Sequence, residues 1–295
     1  MSQKSTPPPR TVGILGAGRV GAVLGAALRA AGLEVVGVTA RSAASRERTA
    51  ALLPGVPVMD VEELVARSEF VVLCVPDDAL ADLVSGIRSW RSGQWVAHVS
   101  GRFGVDVLDP AARRGAVPLA LHPAMTFTGT DADLARLSDC CFGVTASDAV
   151  LPAARAFVRR LGARPVVIAE TDRALYHAAL AHGANHLVTL VAQARQLLTS
   201  MGVEEPGEVL GPLLRAALDN ALVRGDDALT GPIARGDAGT IAAHVVAVGS
   251  RADTADVLPT YAAAARASAE RAASSGRLGA ERAALLLAVL AADHA

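Results

Sequence analysis

Gly16-Ala17-Gly18-Arg19-Val20-Gly21 sets three glycines at the spacing a backbone needs to wrap a diphosphate. Each glycine has its own reason. Gly16 makes the tight turn, Gly18 lets backbone amides approach the phosphates with no Cβ in the way, and Gly21 lets the next helix lie close on the preceding strand. The apolar run from Thr11 reads as a buried strand and Val20–Arg29 as a helix. The free N–H groups and positive dipole end of that helix therefore face the anion. Glycine is common in this chain, 27 of 295 residues, so the spacing has force only because it sits between a strand and a helix. A tight strand–helix turn with no ligand is the alternative.

A second group of residues addresses the rest of such a dinucleotide. Leu33–Ala40 reads as the second strand. A carboxylate at its end would bond a ribose 2′-hydroxyl. Here the position holds Thr39-Ala40-Arg41-Ser42, with Arg46 and Arg48 beyond. Arg41 can pair with a 2′-phosphate through a charge-assisted fork and Ser42 can donate to it, whereas a carboxylate would repel it. The expected cofactor is NADP(H). An ordinary solvated arginine is the alternative.

Proton chemistry is offered further along. A long helix over Asp172–Leu198, roughly 40 Å at 1.5 Å per residue, carries Arg173, His177, Ala181 and Asn185 four apart, with His182 and His186 one position round. Spacing of four keeps His177 and Asn185 on one face. His177 can act as an acid and Asn185 can orient a carbonyl, with His182 beside them on the substrate side. A neutral core histidine bonded to a backbone carbonyl is the competing role. Ser100-Gly101 and His122-Pro123-Ala-Met-Thr126-Phe127 fall at carboxyl ends of strands, where Ser100 can orient a carbonyl, His122 can supply a proton and Thr126 can touch substrate. A loop held rigid by Pro123 is the other reading. Arg235, ahead of Asp237 as a helix N-cap and then His244, is a candidate clamp for a substrate carboxylate, against plain interhelix turn chemistry. His182 and His186 are four apart but no glutamate of an H-E-x-x-H motif lies between them, so no metal is expected.

These groups need elements to hold them. Val56–Met59 reads as a short third strand, followed by an acidic-capped helix from Asp60. Glu69–Pro76 is a central parallel strand leading into a helix over Ala79–Ile87, which puts Val75, Pro76 and Asp77 beside the cofactor. Trp95–Gly101 and Val117 onward make two more strands, and Cys141–Thr145 and Pro165–Ala169 straddle a helix at Ala149–Leu161. After Glu170 only helical periodicity remains, broken near Gly202, Gly225, Gly236 and Gly276. The division expected is a dinucleotide-binding domain over 10–170 and a helical substrate and dimerisation domain over 171–295.

Composition bounds the partners. A net charge of −1 offers no field for nucleic acid or an anionic membrane. No apolar run reaches about 18 residues. Met1–Arg10, with Pro7-Pro8-Pro9, reads as a short extended tail and not a signal peptide. Cys74, Cys140 and Cys141 make no disulfide framework, Cys74 reading as a core residue. A cytoplasmic location is the expectation. Lys4 is the only lysine, so no mechanism that needs an ammonium acid, base or Schiff base applies.

The chain resembles bacterial proteins described as Rossmann-like with a half of unknown function, DUF2520. The resemblance rests on Gly16–Gly21, Val75-Pro76-Asp77-Asp78, Ser100-Gly101, His122–Phe127, Tyr176-His177 with Asn185, and Leu229–Asp237 with His244. In layout the family is similar to pyrroline-5-carboxylate reductase, ketopantoate reductase and the 6-phosphogluconate dehydrogenase group. It implies an α/β fold with an N-terminal Rossmann domain and a C-terminal all-helical domain. It also implies NADPH, hydride transfer, a cleft between domains, a homodimer built on the helical half and, for some members, reduction of ketopantoate. The familiar enzymes use a lysine on the long helix as acid, and this chain has none there. His177, or His122, must then protonate the product, which an imidazole can do near neutral pH.

The expected activity is thus NADPH-dependent reduction of a small carboxylated carbonyl compound, 2-dehydropantoate (ketopantoate) first. An imine reductase of the pyrroline-5-carboxylate type asks less of an acid, because a protonated imine is already electrophilic. A non-catalytic NADP(H) sensor or scaffold, and hydride exchange with a deazaflavin, are the further alternatives.

Overall fold

The protein is represented by a computed structural model that describes residues 9–292. Lys4 and most of the expected N-terminal tail lie outside the described residues. The chain forms two compact units, one reaching Gly183 and the other beginning at Ala184.

The first unit is built on seven strands: β1 (Thr11–Leu15), β2 (Glu34–Val38), β3 (Phe70–Leu73), β4 (Trp95–His98), β5 (Val117–Pro123), β6 (Cys141–Thr145) and β7 (Arg164–Val167). Their order is β2-β1-β3-β4-β5-β6-β7. Pairing is parallel from β2 through β5, antiparallel between β5 and β6, and parallel again between β6 and β7. Parallel neighbours bury both faces, which is why β3 and β4 are buried at every position. Seven helices accompany them: α1 (Arg19–Ala30), α2 (Ala43–Leu52), α3 (Val61–Arg67), α4 (Asp77–Gly86), α5 (Asp109–Ala112), α6 (Ala132–Asp139) and α7 (Leu151–Arg160). One apolar layer gathers Ile14, Leu24, Leu28, Phe70, Trp95, Phe142 and Phe157. The other gathers Leu15, Leu64, Val71, Leu80, Val96 and Leu108.

The expected third strand at Val56–Met59 is not one. Only Val58 bridges, to Val38 of β2. Pro57 has no N–H to continue a ladder, and Asp60 already caps α3 by accepting the Glu63 N–H at 2.9 Å. A single bridge is all the space allows, so the central strand expected at Glu69–Pro76 is β3.

The long helix α8 (Arg173–Ser200) carries the unit boundary within its length. The second unit continues with α9 (Pro206–Arg224), α10 (Gly231–Arg235), α11 (Ala238–Gly249), α12 (Leu258–Ser274) and α13 (Ala280–Ala292). Its core is an alanine-rich seam of Ile241, Val245, Ala262, Ala265, Ala269, Leu286 and Leu290. Helix α9 buries only Pro206 along its length, and the short α10 buries no residue. Among the described residues no helix is long and apolar enough to cross a membrane.

Candidate active site

Because β1 hydrogen-bonds to β2 on one side and β3 on the other, chain direction diverges there and opens a crevice at the carboxyl ends of the strands. A cleft of about 620 Å³ occupies it, lined among others by Gly16, Gly18, Arg41, Ser42, Val75 and Pro76. Gly16 holds φ +97°, and a Cβ there would lie 2.6 Å from the Cys74 carbonyl oxygen. A Cβ on Gly21 would overlap the Gly16 carbonyl oxygen, whereas one on Gly18 would meet nothing within 4 Å. Two of the glycines are thus required by packing, and the third faces open space. Gly18 is also the N-cap of α1 and provides no side-chain cap, which leaves the first amides of the helix for an anion. Arg19 and Val20 form the first turn, with Arg19 exposed beside Gly129.

The end of β2 is sewn to this turn. The Gly16 N–H donates to Thr39 Oγ1 at 2.8 Å and the Ala17 N–H to the Thr39 carbonyl at 2.8 Å. That fixes where Arg41 and Ser42 emerge. Ser42 caps α2 by accepting the Ser45 N–H at 3.1 Å. Arg41 is exposed and faces the cleft with no acidic residue adjacent in sequence. Asp77 lies in the first turn of α4 behind Pro76, with Arg102 Nε 3.8 Å from its carboxylate.

Further along the same edge of the sheet, the ends of β4 and β5 bring together Ser100, His122 and His177, and with them His98 and Tyr176. Three glycines make the space. A Cβ on Gly101 would lie 2.5 Å from His177 Cδ2 and 3.1 Å from His122 Nε2. One on Gly143 would come within 2.7 Å of the Tyr176 ring and hydroxyl, and one on Gly104 would overlap the Glu170 carboxylate. Pairing of His122 opposite Gly143 sets both on one face of the sheet. Tyr176 can therefore lie over Gly143 and bring its hydroxyl to 3.0 Å from His122 Nδ1. The His122 and His177 rings stand 6.0 Å apart at 78°.

His98 is fully buried, with Nε2 2.7 Å from the Gly104 carbonyl and Nδ1 accepting the Ser100 N–H at 3.2 Å. A carbonyl only accepts, so the proton is on Nε2 and both nitrogens are engaged. Burial pushes its pKa from 6.5 down to about 4, with Arg173 acting in the same direction. His122 is likewise pushed down to about 4 by burial first, then by Arg173, His177 and His98. Burial also raises the Tyr176 phenol. At neutral pH His98, His122 and Tyr176 are therefore neutral donors and acceptors. Ser100 is buried, and its hydroxyl accepts the Phe103 N–H at 3.3 Å.

A folded-state pKa below the unfolded one means that unfolded chains take up protons first as pH falls. Stability from these two histidines is complete above pH 6.5 and is lost as pH drops toward 4. The expected loss is roughly 2–3 kcal/mol per histidine. Denaturant melts at pH 7, 5.5 and 4.5 measure it, and a flat profile contradicts the assignment.

Thr126 is exposed on the loop after β5. That loop is closed by the buried Asp133 carboxylate, which accepts the Thr128 and Gly129 N–H groups, each at 2.8 Å. His182 is exposed on α8. Asn185 and Arg235 belong to the second unit, and both are exposed there. Arg235 ends α10 before Gly236 at φ +72°, and Asp237 caps α11 by accepting the Thr240 N–H at 3.0 Å. His244 Nδ1 lies 2.8 Å from the Tyr261 hydroxyl. Among the described residues no set of three metal-ligating side chains converges.

Sequence reading assigned no part to His98 and left Gly143 unremarked. The available signal was glycine at strand positions and strand ends beside histidines, since a missing Cβ there leaves room for a side chain from elsewhere.

The fold and this edge of the sheet define the class, an α/β dinucleotide-binding domain joined to a helical domain. Comparison matches two domains. A Rossmann-like domain matches residues 2–123, and the domain of unknown function DUF2520 matches residues 140–268. Each match covers less than half of the chain, and the two lie one after the other along it. No curated protein matches it.

Solved structures do. A protein from Bacteroides fragilis assigned as an NADP oxidoreductase is 24% identical, with TM-score 0.73 over 88% of this chain and 98% of that one. A reductive aminase from Aspergillus terreus, solved with NADPH and ethyl-5-oxohexanoate, is 18% identical, with TM-score 0.70 over 95% and 99%. An imine reductase from Myxococcus stipitatus, solved with NADP+, is 18% identical, with TM-score 0.65 over 95% and 99%. Identities this low carry the fold and leave the reaction to be argued from the residues.

Proposed function

We propose that this protein is an NADP(H)-dependent reductase of a small carbonyl compound, with 2-dehydropantoate (ketopantoate) the first substrate to test. The reading rests on one observation. The cleft with its uncapped helix terminus and the cluster of Ser100, His122, Tyr176 and His177 lie along the carboxyl ends of the parallel strands β1 to β5 of one sheet. The residues fit the dinucleotide. Gly18 leaves open space over the α1 terminus, and Arg41 and Ser42, which line the same cleft, are proposed to meet a 2′-phosphate. Gly16, Gly18, Arg19, Val20 and Gly21 are proposed to hold the diphosphate, and Val75, Pro76 and Asp77 to flank the cofactor. When bound, the nicotinamide supplies the hydride.

The chain's own residues manage the proton and the orientation of the substrate. His177 is the proposed proton donor, with His122 beside it and Ser100 orienting the carbonyl oxygen. Asn185, Thr126, His182 and Arg235 are assigned to the substrate on sequence grounds: Asn185 to orient it and Arg235 to pair with its carboxylate. Residues 10–170 are proposed as the NADP-binding domain and 171–295 as the substrate and dimerisation domain.

A second reading is imine reduction of the pyrroline-5-carboxylate type. Absence of any lysine beyond Lys4 favours it, and the reductive aminase and imine reductase among the similar structures point the same way. Loss of NADPH absorbance with ketopantoate, and separately with pyrroline-5-carboxylate, distinguishes the two. Turnover of the first supports the leading reading, and turnover of the imine alone replaces it. NADPH binding with no turnover of any carbonyl or imine identifies a sensor instead.

Arg41→Asp is expected to weaken NADPH binding at least tenfold, about 1.4 kcal/mol, while sparing NADH. Unchanged preference in a cofactor titration rejects the Arg41 assignment. A homodimer through the helical half is proposed because α9 exposes Val209, Leu213, Leu218, Leu222 and Val223, the last 85% accessible. Light scattering should read twice the 30.0 kDa chain mass. A monomer at working concentration refutes the dimer.

A further inference from the structure

Arg173 opens α8 and is 1% exposed, yet no carboxylate lies within ion-pair distance of it among the described residues. Three of its five N–H donors are directed at main chain instead. Nε donates to the Phe103 carbonyl at 2.8 Å, Nη1 to the Gly143 carbonyl at 3.2 Å and Nη2 to the Ser100 carbonyl at 2.6 Å. A buried guanidinium is costly unless it is richly bonded. Here it joins three separate pieces of backbone: the turn after β4, the segment that follows it, and β6.

Those pieces form the floor of the histidine cluster. Ser100 precedes Gly101, whose bare Cα accepts the His177 ring, and Gly143 accepts the Tyr176 ring. His177 and Tyr176 follow Arg173 by one turn or less on the same helix, so one end of α8 supplies both the rings and the fork that holds their seats. We propose that Arg173 is a positioning residue for the reduction proposed above: its three divergent hydrogen bonds fix the Ser100–Phe103 turn against β6, and thereby set His122, Tyr176 and His177 at working distance. The proposal rests on the reductase reading for its catalytic consequence, but not for its geometry.

A second consequence follows from charge. The groups facing His122 are Arg173, Tyr176 and His177 from α8 and His98 from β4, and the thiols of Cys140, just before β6, and of Cys141, its first residue, face Tyr176. Asp77 acts on His98 and Glu170 on Arg173, and neither is among the groups acting on His122. Arg173 is thus the only permanent positive charge acting on that imidazole, and removing it should let His122 take a proton more readily. Lysine would keep the charge, but a single ammonium cannot reach three carbonyls that diverge around a planar fork.

Two variants separate fork from charge in the full-length protein. Arg173→Met should raise the His122 titration, read by histidine-selective NMR, by at least one pH unit. Arg173→Lys should leave that titration low, move the Tyr176 and His177 signals, and cut kcat at least tenfold with NADPH affinity unchanged. A Lys variant with wild-type kcat and wild-type ring signals overturns the proposal, and so does a Met variant with unmoved His122 titration. If Arg173→Met does not fold, the Lys variant decides alone. If the wild-type protein turns over no substrate, ring signals that move in Arg173→Lys uphold the positioning role, and the reductase reading is what fails.

Discussion

Gly21→Ala is expected to abolish NADP(H) binding and to destabilise the protein by roughly 2–3 kcal/mol. Helix propensity argues the other way, because alanine inside a helix is worth about 1 kcal/mol over glycine. Sterics win here. The added methyl would overlap the Gly16 carbonyl oxygen and stand 3.0 Å from Cys74 Cβ. Neither neighbour can step aside. The Gly16 carbonyl belongs to a turn already held at φ +97° and bonded through its N–H to Thr39, and Cys74 follows β3 directly. Relief would have to come from lifting α1 off the sheet, and that moves the very amides that face the cleft.

Gly18→Ala supplies the contrast that makes the test specific. Its methyl meets no atom within 4 Å, so stability should stay within about 1 kcal/mol, the usual range for exchanging one uncharged N-cap for another. Its methyl would nevertheless project where a diphosphate must come close. Cofactor affinity should fall at least tenfold, about 1.4 kcal/mol. Thermal melts and a titration of NADPH fluorescence read the two quantities separately. A Gly18→Ala protein that binds NADPH like wild type would show that this cleft is not the dinucleotide site. A Gly21→Ala protein of wild-type stability would show that the helix–strand contact is looser than described.

How much of this was legible in the sequence depends on the range of the physics. Gly16 and Gly21 were readable because their reasons are local, a turn and a close approach of helix to turn within six residues. Asp60 and Asp237 were readable as caps for the same reason, each accepting an amide three residues on. The short strand at Val56–Met59 was over-read, since an apolar run shows β preference but not the lack of a donor at Pro57 or of room before the next cap. The histidine cluster was half legible. His122 and His177 could be singled out as imidazoles near strand and helix ends, and Arg173 was seen only as part of a polar row. That Arg173 turns inward to brace backbone and that Tyr176 lies over Gly143 are facts of pairing between segments 30 or more residues apart. No spacing rule reaches that far.

The last expectation tests that long-range pairing through its smallest element. Gly101→Ala is expected to lower kcat nearly as much as His177→Ala does, on the order of a hundredfold or more for loss of a positioned proton donor. A methyl on Gly101 would lie 2.5 Å from His177 Cδ2 and 3.1 Å from His122 Nε2, so one of the two rings must move. His122 is tied through Nδ1 to Tyr176, whose ring in turn fills the space over Gly143, so His177 is the ring that must swing away. Stability should fall less than activity, because His177 is half-buried and has a route toward solvent. The double variant should be no slower than the slower single one, since two substitutions that remove the same group do not add. Single-turnover rates with the best substrate, for wild type, both single variants and the double, give the cycle directly. Full additivity would mean that Gly101 acts on something other than His177. A His177→Ala protein with wild-type turnover would move the proton-donor role to the hydrogen-bonded pair of His122 and Tyr176, where Gly101→Ala would still slow the reaction by pressing on His122 Nε2.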